Sequence, residues 1–322
     1  MSEVAITGIG LVTPFGCGKS RLAQALAGGL PLPSACLDEL NGTCLATQKI
    51  AIPTDLQAEQ QKAGLPPRLM MYASAAGVLG CLAAKEAAEE AAIGVRFAPE
   101  RVGLYGATGL TTASFHDTAG FLEGSKGPDG RFSTRRLGEA GLRALNPLES
   151  FKILPNMGPC LLSILLGIKG PNLIFSPWEE HGAAAIVEAI SAVSSGEVDC
   201  ALAGAADWPS SAPSLIFLKQ AGLIQETDVV SASAAYLVLE RAEERRGGSR
   251  SAYGILTADL VNSRGDVGDD PLREALGRTF VVAPALLVAA LCLRLTQSNA
   301  VVGVRGGRVS FRLRAWPEER HP

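Results

Sequence analysis

The sequence predicts an α/β fold with a mostly parallel sheet and with helices packed between layers. Strand segments alternate with helical segments along the chain, which is typical of βαβ units. The 322 residues include 36 glycines and several alanine-rich stretches, which suit tight turns and close helix packing. Several helical segments are apolar around most of their circumference, and such helices are buried on most sides. We therefore expect more layers than a simple three-layer sandwich has.

The first elements are predicted to be a short strand, a turn and a helix. Residues 4–7 are largely β-branched and predict the strand, and the glycines that follow predict the turn. "SRLAQALAGG" predicts a helix with Ser20 as its N-cap and with two glycines at its end. Residues 31–67 are rich in Pro, Gly and Thr and predict irregular structure with short strands. Residues 68–92 predict one long buried helix.

The middle of the chain continues the alternation. "RVGLYGATG" predicts a strand that ends in a glycine turn, and residues 113–150 predict short helices and a loop around "GSKGPDG". "NMGPCLLSILLG" predicts a buried helix and "PNLIFS" a strand. "GAAAIVEAISAVSSGE" predicts a helix that ends at Gly196, and "VDCALAGAAD" predicts the strand after it.

The last third predicts a shorter series of the same kind. "APSLIFLKQAGL" predicts a short helix, residues 234–240 a buried strand, and "AYGILTADLV" another strand. A helix over residues 271–276 precedes the apolar run 280–293, which is too short to span a bilayer and contains Pro284. We interpret that run as a buried core helix. "NAVVGV" and "RVSFRLRAW" predict two closing strands.

Composition narrows the functional classes. The formal net charge is −3 and the longest basic stretch is "ERRGGSR", so the sequence does not favour nucleic-acid binding. Only 19% of residues are charged, which is consistent either with a large core or with surface buried against a partner. The seven cysteines form no CxxC pair, and the N-terminus lacks a signal-peptide pattern. Both features favour reduced, mostly buried thiols in a cytoplasmic protein.

Two glycine-rich motifs near the N-terminus are rejected as nucleotide sites. "GCGKS" lacks the first glycine of a phosphate-binding loop, because Thr13 stands at that position. "GIGLVT" likewise has Thr13 where a dinucleotide fingerprint requires its third glycine.

The stretch "SPWEEHG", residues 176–182, joins a predicted strand to a predicted helix and contains one of only three histidines. Two carboxylates beside an imidazole allow a zinc interpretation, but a zinc site needs further ligands, and His116 is the only other candidate that stands out. We therefore predict no metal.

The stretch from "NMGPCLLSILLG" to "VDCALAGAAD" resembles the nucleophile region of the β-ketoacyl synthases, the condensing enzymes of fatty-acid and polyketide synthesis. "VAITGIGLVTPFG", "VGLYGATG" and "SASAAYLVLERAEERRGG" are similar to further family segments, and "NAVVGVRGG" is faintly so. The resemblance implies a thiolase-like five-layer αβαβα fold built from two pseudo-duplicated halves. Residues 1–241 would form the N-terminal half, and residues 242–322 a shortened C-terminal half.

The family places a nucleophilic cysteine at the turn into the helix, where the helix N-terminus favours a thiolate. In this sequence the alignment of Ser176 and Gly182 puts Glu179 at that position. Cys160, the nearest thiol, lies in the preceding helix and is not a substitute. We expect no catalytic residue here, and we expect Glu179 to be a helix cap or an interface residue.

The family's other catalytic groups have no counterpart either. Its first histidine motif would fall in "VNSRGDVGDDPLREAL", and its second aligns with "TFVVAPALL"; neither contains a histidine. A phenylalanine that precedes the closing glycines in the family is replaced by Val304 and Arg305. His181 aligns with a serine of the elbow, and His321 lies near the end of the sequence. We expect Glu180 and His181 to be neighbours in the turn, and Trp178 to fill substrate space.

The resemblance is to the chain-length factors, the ketosynthase β subunits of type II polyketide synthases, in which the cysteine is also replaced. It implies a cytoplasmic heterodimer with a catalytic ketosynthase, an acyl tunnel at the interface, and no activity of the chain alone. No cofactor is implied; the partner's acyl chain is carried on the phosphopantetheine of an acyl carrier protein. Two alternatives remain: a malonyl-carrier decarboxylase for starter units, and a homodimeric acyl-chain-binding scaffold.

Overall fold

The structure is a computed structural model, and it describes residues 3–28, 30–53, 61, 63–113, 115–209, 211–242, 252–261, 271–294, 298–304 and 307–316. The strands are β1 (Val4–Thr13), β2 (Gly16–Cys17), β3 (Ala35–Cys36), β4 (Lys49–Ala51), β5 (Val102–Thr108), β6 (Asn172–Phe175), β7 (Cys200–Asp207), β8 (Val229–Ser231), β9 (Ser233–Arg241), β10 (Gly254–Val261), β11 (Ser298–Val304) and β12 (Gly307–Arg314).

The α-helices are α1 (Lys19–Leu26), α2 (Pro67–Met70), α3 (Ala75–Ala91), α4 (Ile93–Arg96), α5 (Phe115–Gly124), α6 (Thr134–Arg136), α7 (Leu142–Ala144), α8 (Glu149–Lys152), α9 (Met157–Leu166), α10 (Glu179–Ser195), α11 (Ala212–Gln220), α12 (Pro271–Leu276) and α13 (Ala283–Arg294). Short 3₁₀ turns cover Asp38–Leu40, Pro99–Arg101 and Phe280–Val282, and a π-helical turn covers Leu137–Gly141.

The central feature is one curled sheet. In the described part of the chain, it has nine strands in the order β11-β12-β10-β1-β9-β7-β5-β6, with β2 attached to β1. A separate three-stranded sheet has the order β3-β4-β8. The large sheet crosses the predicted boundary between the two halves, because β1 pairs with β10. Strands from both sides of residue 241 thus share one sheet, and the division into two halves at that residue stays a prediction.

The expectation of a mostly parallel sheet is wrong. β5 runs parallel to β6 and β7, but β7 pairs antiparallel with β9, and β9 antiparallel with β1. β12 pairs antiparallel with both β10 and β11. Helices link β5 to β6 and β6 to β7, and α12 and α13 likewise lie between β10 and β11, which are not neighbours in the sheet. Strand–helix alternation therefore predicted the strands but not their directions.

Two apolar cores cover the two faces of this sheet. Alternate residues of β7 point to opposite faces: Ala201, Ala203 and Ala205 join one core, and Cys200 and Leu202 join the other. Helix α3 lies on one face with α9 packed against it, and α10 and α13 lie on the other face. Because the sheet curls, α10 and α13 also contact β11 on their far side. The predicted position of buried helices between layers is confirmed.

The glycines of "TGIGLV" are strand residues, not turn residues as predicted. β1 continues to Thr13 and is buried along its whole length. A Cβ atom on Gly8 would lie 2.3 Å from the carbonyl oxygen of Ala87, and one on Gly10 would lie 1.8 Å from that of Ala83. These glycines therefore allow helix α3 to approach the strand backbone closely.

Three helix predictions also need correction. Gly18, not Ser20, is the N-cap of α1. Residues 68–92 form two helices, because the chain turns at residues 71–74 and the Ser74 side chain accepts a hydrogen bond from the Gly77 N–H at 3.0 Å. Helix α9 is buried on one side only, and Ile164 is 60% exposed.

All seven cysteines are free thiols, but only Cys81, Cys200 and Cys292 are buried, so the prediction of mostly buried thiols is only partly right. Burial raises the pKa of Cys81 and of Cys292 to about 12. Those two thiols are therefore neutral at physiological pH. Among the residues described, no helix combines the length and apolar character that a membrane span requires.

Candidate functional site

The predicted elbow joins the edge strand β6 to helix α10. Ser176, Pro177 and Trp178 connect the two elements, and Glu179 is the first residue of the helix. Residues 176–181 all lie at intermediate depth. Glu179 and Glu180 occupy the first turn, where the partial positive charge of the helix N-terminus stabilises anions. The structure thus has an acid where the alignment placed the family's cysteine.

The side chain of His181 caps this helix. Its Nδ1 atom accepts a hydrogen bond from the backbone N–H of Trp178 at 3.1 Å, and the backbone N–H of His181 donates to the Trp178 carbonyl oxygen at 2.9 Å. The bond from the Trp178 N–H to His181 is one half of a capping box, in which the third helical residue reaches back to the N-cap. The other half is missing, because the indole of Trp178 is a donor only. With Nδ1 acting as acceptor, the neutral imidazole carries its proton on Nε2. The arrangement gives His181 a structural role at the elbow.

We expect the His181→Ala substitution to lower the free energy of unfolding by about 0.5–2 kcal/mol, because the Trp178 N–H loses its acceptor. His181→Gln should retain most of that stability, since a glutamine at this position also accepts from the N-cap. Urea unfolding of both variants measures the difference. Equal losses in the two variants would contradict the capping role.

The segment aligned with the family's second histidine motif lies directly against the elbow. A Cβ atom on Gly182 would lie 1.9 Å from the carbonyl oxygen of Val281, so α10 and the 3₁₀ turn Phe280–Val282 touch through their backbones. Phe280 has a φ of 40° and is 7% exposed. A bulky residue in this left-handed region is strained and persists only where its surroundings hold it in place. Phe280 and Val281 thus stand beside the elbow in the segment that aligns with the family's second histidine motif.

Trp178 packs into an apolar cluster that includes Leu215 and Phe280. Its ring stacks on that of Phe217, with centroids 6.0 Å apart and planes 24° apart. Aromatic pairs of this kind contribute beyond simple area burial. The contacts are consistent with the prediction that Trp178 fills substrate space, which remains a prediction.

A buried acid that sequence reasoning did not single out lies beside the elbow. Asp207 ends β7 and is 3% exposed, and burial raises its pKa to about 8 despite a hydrogen bond from the Trp208 N–H. Its carboxyl group lies against Gly109, where a Cβ atom would fall 2.0 Å from Oδ1. The Gly109 carbonyl in turn accepts a hydrogen bond from Ser176 Oγ at 3.3 Å. The sequence signal that could have identified Asp207 is its place as the single acid at the end of an apolar strand.

A cleft of about 260 Å³ is lined in part by the loop that follows β5. It is lined by the start of α3, loop residues 110–113, part of α8 and the segment after β7. At its edge the hydroxyl groups of Thr112, Ser211 and Ser214 bond one another at 2.7–2.9 Å. The cleft therefore combines apolar side chains, such as Leu110, Ile153 and Trp208, with hydroxyl groups and with the charged Glu149 and Lys152.

Several predicted site residues are placed elsewhere or lie outside the described residues. Cys160 is on α9, an element separate from the elbow. The His116 side chain, His321, Arg305 and the segment 262–270 are not part of what the structure describes. Within the described residues, no group of three or more His, Cys, Asp or Glu side chains could hold a metal ion.

Residues 1–236 match the model of the β-ketoacyl synthase N-terminal domain. No curated protein sequence matches the chain significantly. Many solved structures match the chain. Three of them share 14–16% of their residues with it, a level of identity that establishes the fold alone.

One similar structure is a type II polyketide synthase acyl carrier protein in complex with its ketosynthase bound to a hexaketide (AntDE:AntF), with 16% identity and a TM-score of 0.74. Another is a β-ketoacyl synthase from Burkholderia phymatum STM815, with 14% identity and a TM-score of 0.75. A third is the ishigamide ketosynthase/chain length factor, with 14% identity and a TM-score of 0.74. Each match covers 98% of this chain and 99–100% of the other. The predicted thiolase-like fold is confirmed.

Proposed function

Since the chain belongs to the β-ketoacyl synthase family, we propose that it is a non-catalytic subunit, a chain-length factor that pairs with an active β-ketoacyl synthase. The pair would elongate polyketide, polyene or fatty-acid-type chains. In this proposal the partner carries out condensation, and this chain completes the dimer and shapes the acyl tunnel at the interface.

The observation that carries the proposal is Glu179 at the first position of α10. Acyl transfer onto a carboxylate would form an anhydride, which water hydrolyses readily. The negative charge would also repel a malonyl carboxylate. Phe280 and Val281, which stand in the segment aligned with a histidine motif, carry no group that could stabilise an enolate or oxyanion.

The edge of the sheet beside the elbow supports a partner subunit. In the described residues, β6 pairs with β5 on one side and with no strand on the other. Leu173 on β6 is 44% exposed, and Ile164 on the neighbouring helix α9 is 60% exposed. An edge strand with exposed apolar side chains is unfavourable in a monomer and offers backbone groups for pairing. We expect an obligate interface of about 2,000 Å² or more at this edge.

The cleft behind the loop 110–113 is our candidate for this chain's share of the tunnel. Its apolar side chains suit an acyl chain, and its hydroxyl groups, together with Glu149 and Lys152, suit the polar atoms of a polyketide. A similar structure contains an acyl carrier protein and a ketosynthase with a bound hexaketide, which favours a carrier protein as a further partner. The acyl chain would arrive on the carrier's phosphopantetheine, and we propose no cofactor for this chain itself.

Co-purification with candidate synthases that contain an intact Cys-His-His set tests the proposal. The complex should form product from malonyl-carrier, and the isolated chain should not. Glu179→Gln should leave product formation by the complex within about threefold, because the residue has no chemical role. Loss of product in that variant, with fold and complex intact, would show that Glu179 takes part in the chemistry.

The interface is tested by Ile164→Asp combined with Leu173→Asp. Burial of two unpaired carboxylates should weaken the complex by at least about 100-fold. Val95→Asp is the matched control, because Val95 is 90% exposed on α4 and should not affect binding. Sedimentation measures both variants at micromolar concentration.

The outcomes separate the alternatives. A chain that stays monomeric with and without its co-expressed partner contradicts the proposal. A stable homodimer that binds no synthase favours the scaffold, and decarboxylation of malonyl-carrier by the isolated chain favours the decarboxylase.

A further inference from the structure

A tyrosine hydroxyl group is buried in the core without a partner. Tyr236 lies on β9 and is 1% exposed. Among the residues that the structure describes, none donates a hydrogen bond to this hydroxyl or accepts one from it. A buried tyrosine hydroxyl usually has a partner, and one that lacks it calls for an explanation. A phenylalanine would fill almost the same space, so packing alone does not explain the hydroxyl.

Tyr236 borders a narrow slot between helices α3 and α9. The slot has a volume of about 10 Å³, which is room for one water-sized group. Its walls include Gly77 on α3 and Gly158 and Pro159 at the start of α9. A Cβ atom on Gly106 would lie 3.6 Å from the Tyr236 hydroxyl oxygen and 3.4 Å from Pro159 Cγ. The hydroxyl therefore lies on the Pro159 side of the slot.

The slot adjoins the cleft of about 260 Å³ that the loop 110–113 lines. Ser74, Ala76, Thr108 and Thr111 line both cavities, so the two meet along these residues. A chain held in the cleft can therefore place its last group in the slot, next to the Tyr236 hydroxyl. The small volume of the slot excludes anything larger than that group.

We propose that the cleft and the slot together bind an acyl chain whose far end carries an oxygen atom, and that the Tyr236 hydroxyl donates a hydrogen bond to this oxygen. A hydroxyl or carbonyl oxygen would satisfy the buried group, whereas a methyl group in the slot would leave it unsatisfied. Burial, followed by the influence of Cys81, raises the pKa of the Tyr236 hydroxyl, so the group keeps its proton and can donate it. The inference rests on the proposed function for the source of the chain, and it adds the chemical class of that chain.

Two neutral esters of equal length test the class of ligand. Methyl 8-hydroxyoctanoate ends in a hydroxyl group, and methyl nonanoate has a methyl group at the same place. Calorimetry with the full chain, in its complex where one forms, should show at least about fivefold tighter binding of the hydroxyl-ended ester, as one neutral hydrogen bond provides. Equal affinities, which a slot filled by water alone predicts, would overturn the proposal. Tighter binding of methyl nonanoate, or no binding of either ester, would overturn it as well.

Tyr236→Phe removes the hydroxyl and keeps the ring. The preference for the hydroxyl-ended ester should fall below about twofold. Without ligand, the urea midpoint should equal or exceed that of the wild type, because the hydroxyl has no partner to lose. A lower midpoint would mean that the hydroxyl forms a bond within the folded protein, and a preference that survives would mean that another group recognises the oxygen. Either result would overturn the proposal.

Gly158→Ala tests the slot separately. Among the described residues, its Cβ atom would meet only Gly77 Cα, at 3.6 Å, so the fold should tolerate a methyl group that narrows the slot. Binding of the hydroxyl-ended ester should weaken at least about fivefold. Gly138→Ala is the matched control, because a Cβ atom there would meet nothing within 4 Å and Gly138 lines neither cavity. Equal affinities of the two variants would overturn the placement of the chain end.

These measurements require neither condensation nor a synthase, so they separate this inference from the proposed function. A chain that pairs with no synthase but shows the Tyr236-dependent preference would support the inference alone. A complex that forms product without this preference would overturn the inference and leave the proposed function in place.

Discussion

Replacement of Arg96 by methionine is expected to lower the free energy of unfolding by about 3–5 kcal/mol, because it leaves a buried charge without its counterion. Arg96 Nη1 and Nη2 each donate to a separate carboxylate oxygen of Glu240 at 2.7 Å. The Glu240 side chain on β9 is only 4% exposed, and it also accepts from Thr7 Oγ1 on β1 at 2.5 Å. Urea unfolding at neutral pH measures the loss.

Arg135→Met is the matched control. Arg135 pairs with Glu139 at 3.1 Å, but its side chain is 84% exposed, and exposed pairs contribute about 0–1 kcal/mol. The double substitution Arg96→Met with Glu240→Met should recover part of the loss, since it removes both charges. Equal effects of Arg96→Met and Arg135→Met would show that the buried pair is not a special contributor.

Gly10→Ala is expected to destabilise the protein by about 3 kcal/mol or more, at the upper end of what overpacking costs. The new Cβ atom would lie 1.8 Å from the Ala83 carbonyl oxygen. The obstacle is helix backbone, which cannot rotate away, so α3 must move off β1. Thermal unfolding should show a lower midpoint in this variant.

Gly94→Ala makes the same chemical change where there is space. Gly94 lies in helix α4, and a Cβ atom there would meet nothing within 4 Å. Alanine should be neutral or should stabilise by about 0.4–1 kcal/mol, because it restricts the unfolded chain. If Gly10→Ala is as stable as Gly94→Ala, the close approach of α3 to β1 is not the reason for the glycine.

Local patterns predicted the elements near the site well. The strand β6, the small-residue helix α10 with its end at Gly196 and the apolar strand β7 all occur where composition and turn residues indicated. The apolar run 280–293 forms a 3₁₀ turn and helix α13, with Pro284 in the first helical turn, where proline is tolerated. These features depend on neighbours along the chain, so a sequence contains the information for them.

Features that depend on distant neighbours were missed. Gly8 and Gly10 have the appearance of turn residues until α3 is placed over them. The antiparallel direction of β9 depends on where the chain returns to the sheet, and no local pattern encodes it. Asp207 resembles any acid at a strand end until the backbone of Gly109 is packed against its carboxyl group.

The sequence by itself determined the family, the order of strands and helices, and the presence of an acid at the start of the elbow helix. Those properties follow from residue identity and from periodicity over a few turns or strand residues. Only the tertiary structure decided that the turn Phe280–Val282 lies against Gly182 of the elbow, and that Asp207 is buried against Gly109. The reason is physical: burial, strand pairing and pKa depend on groups brought together from distant parts of the chain.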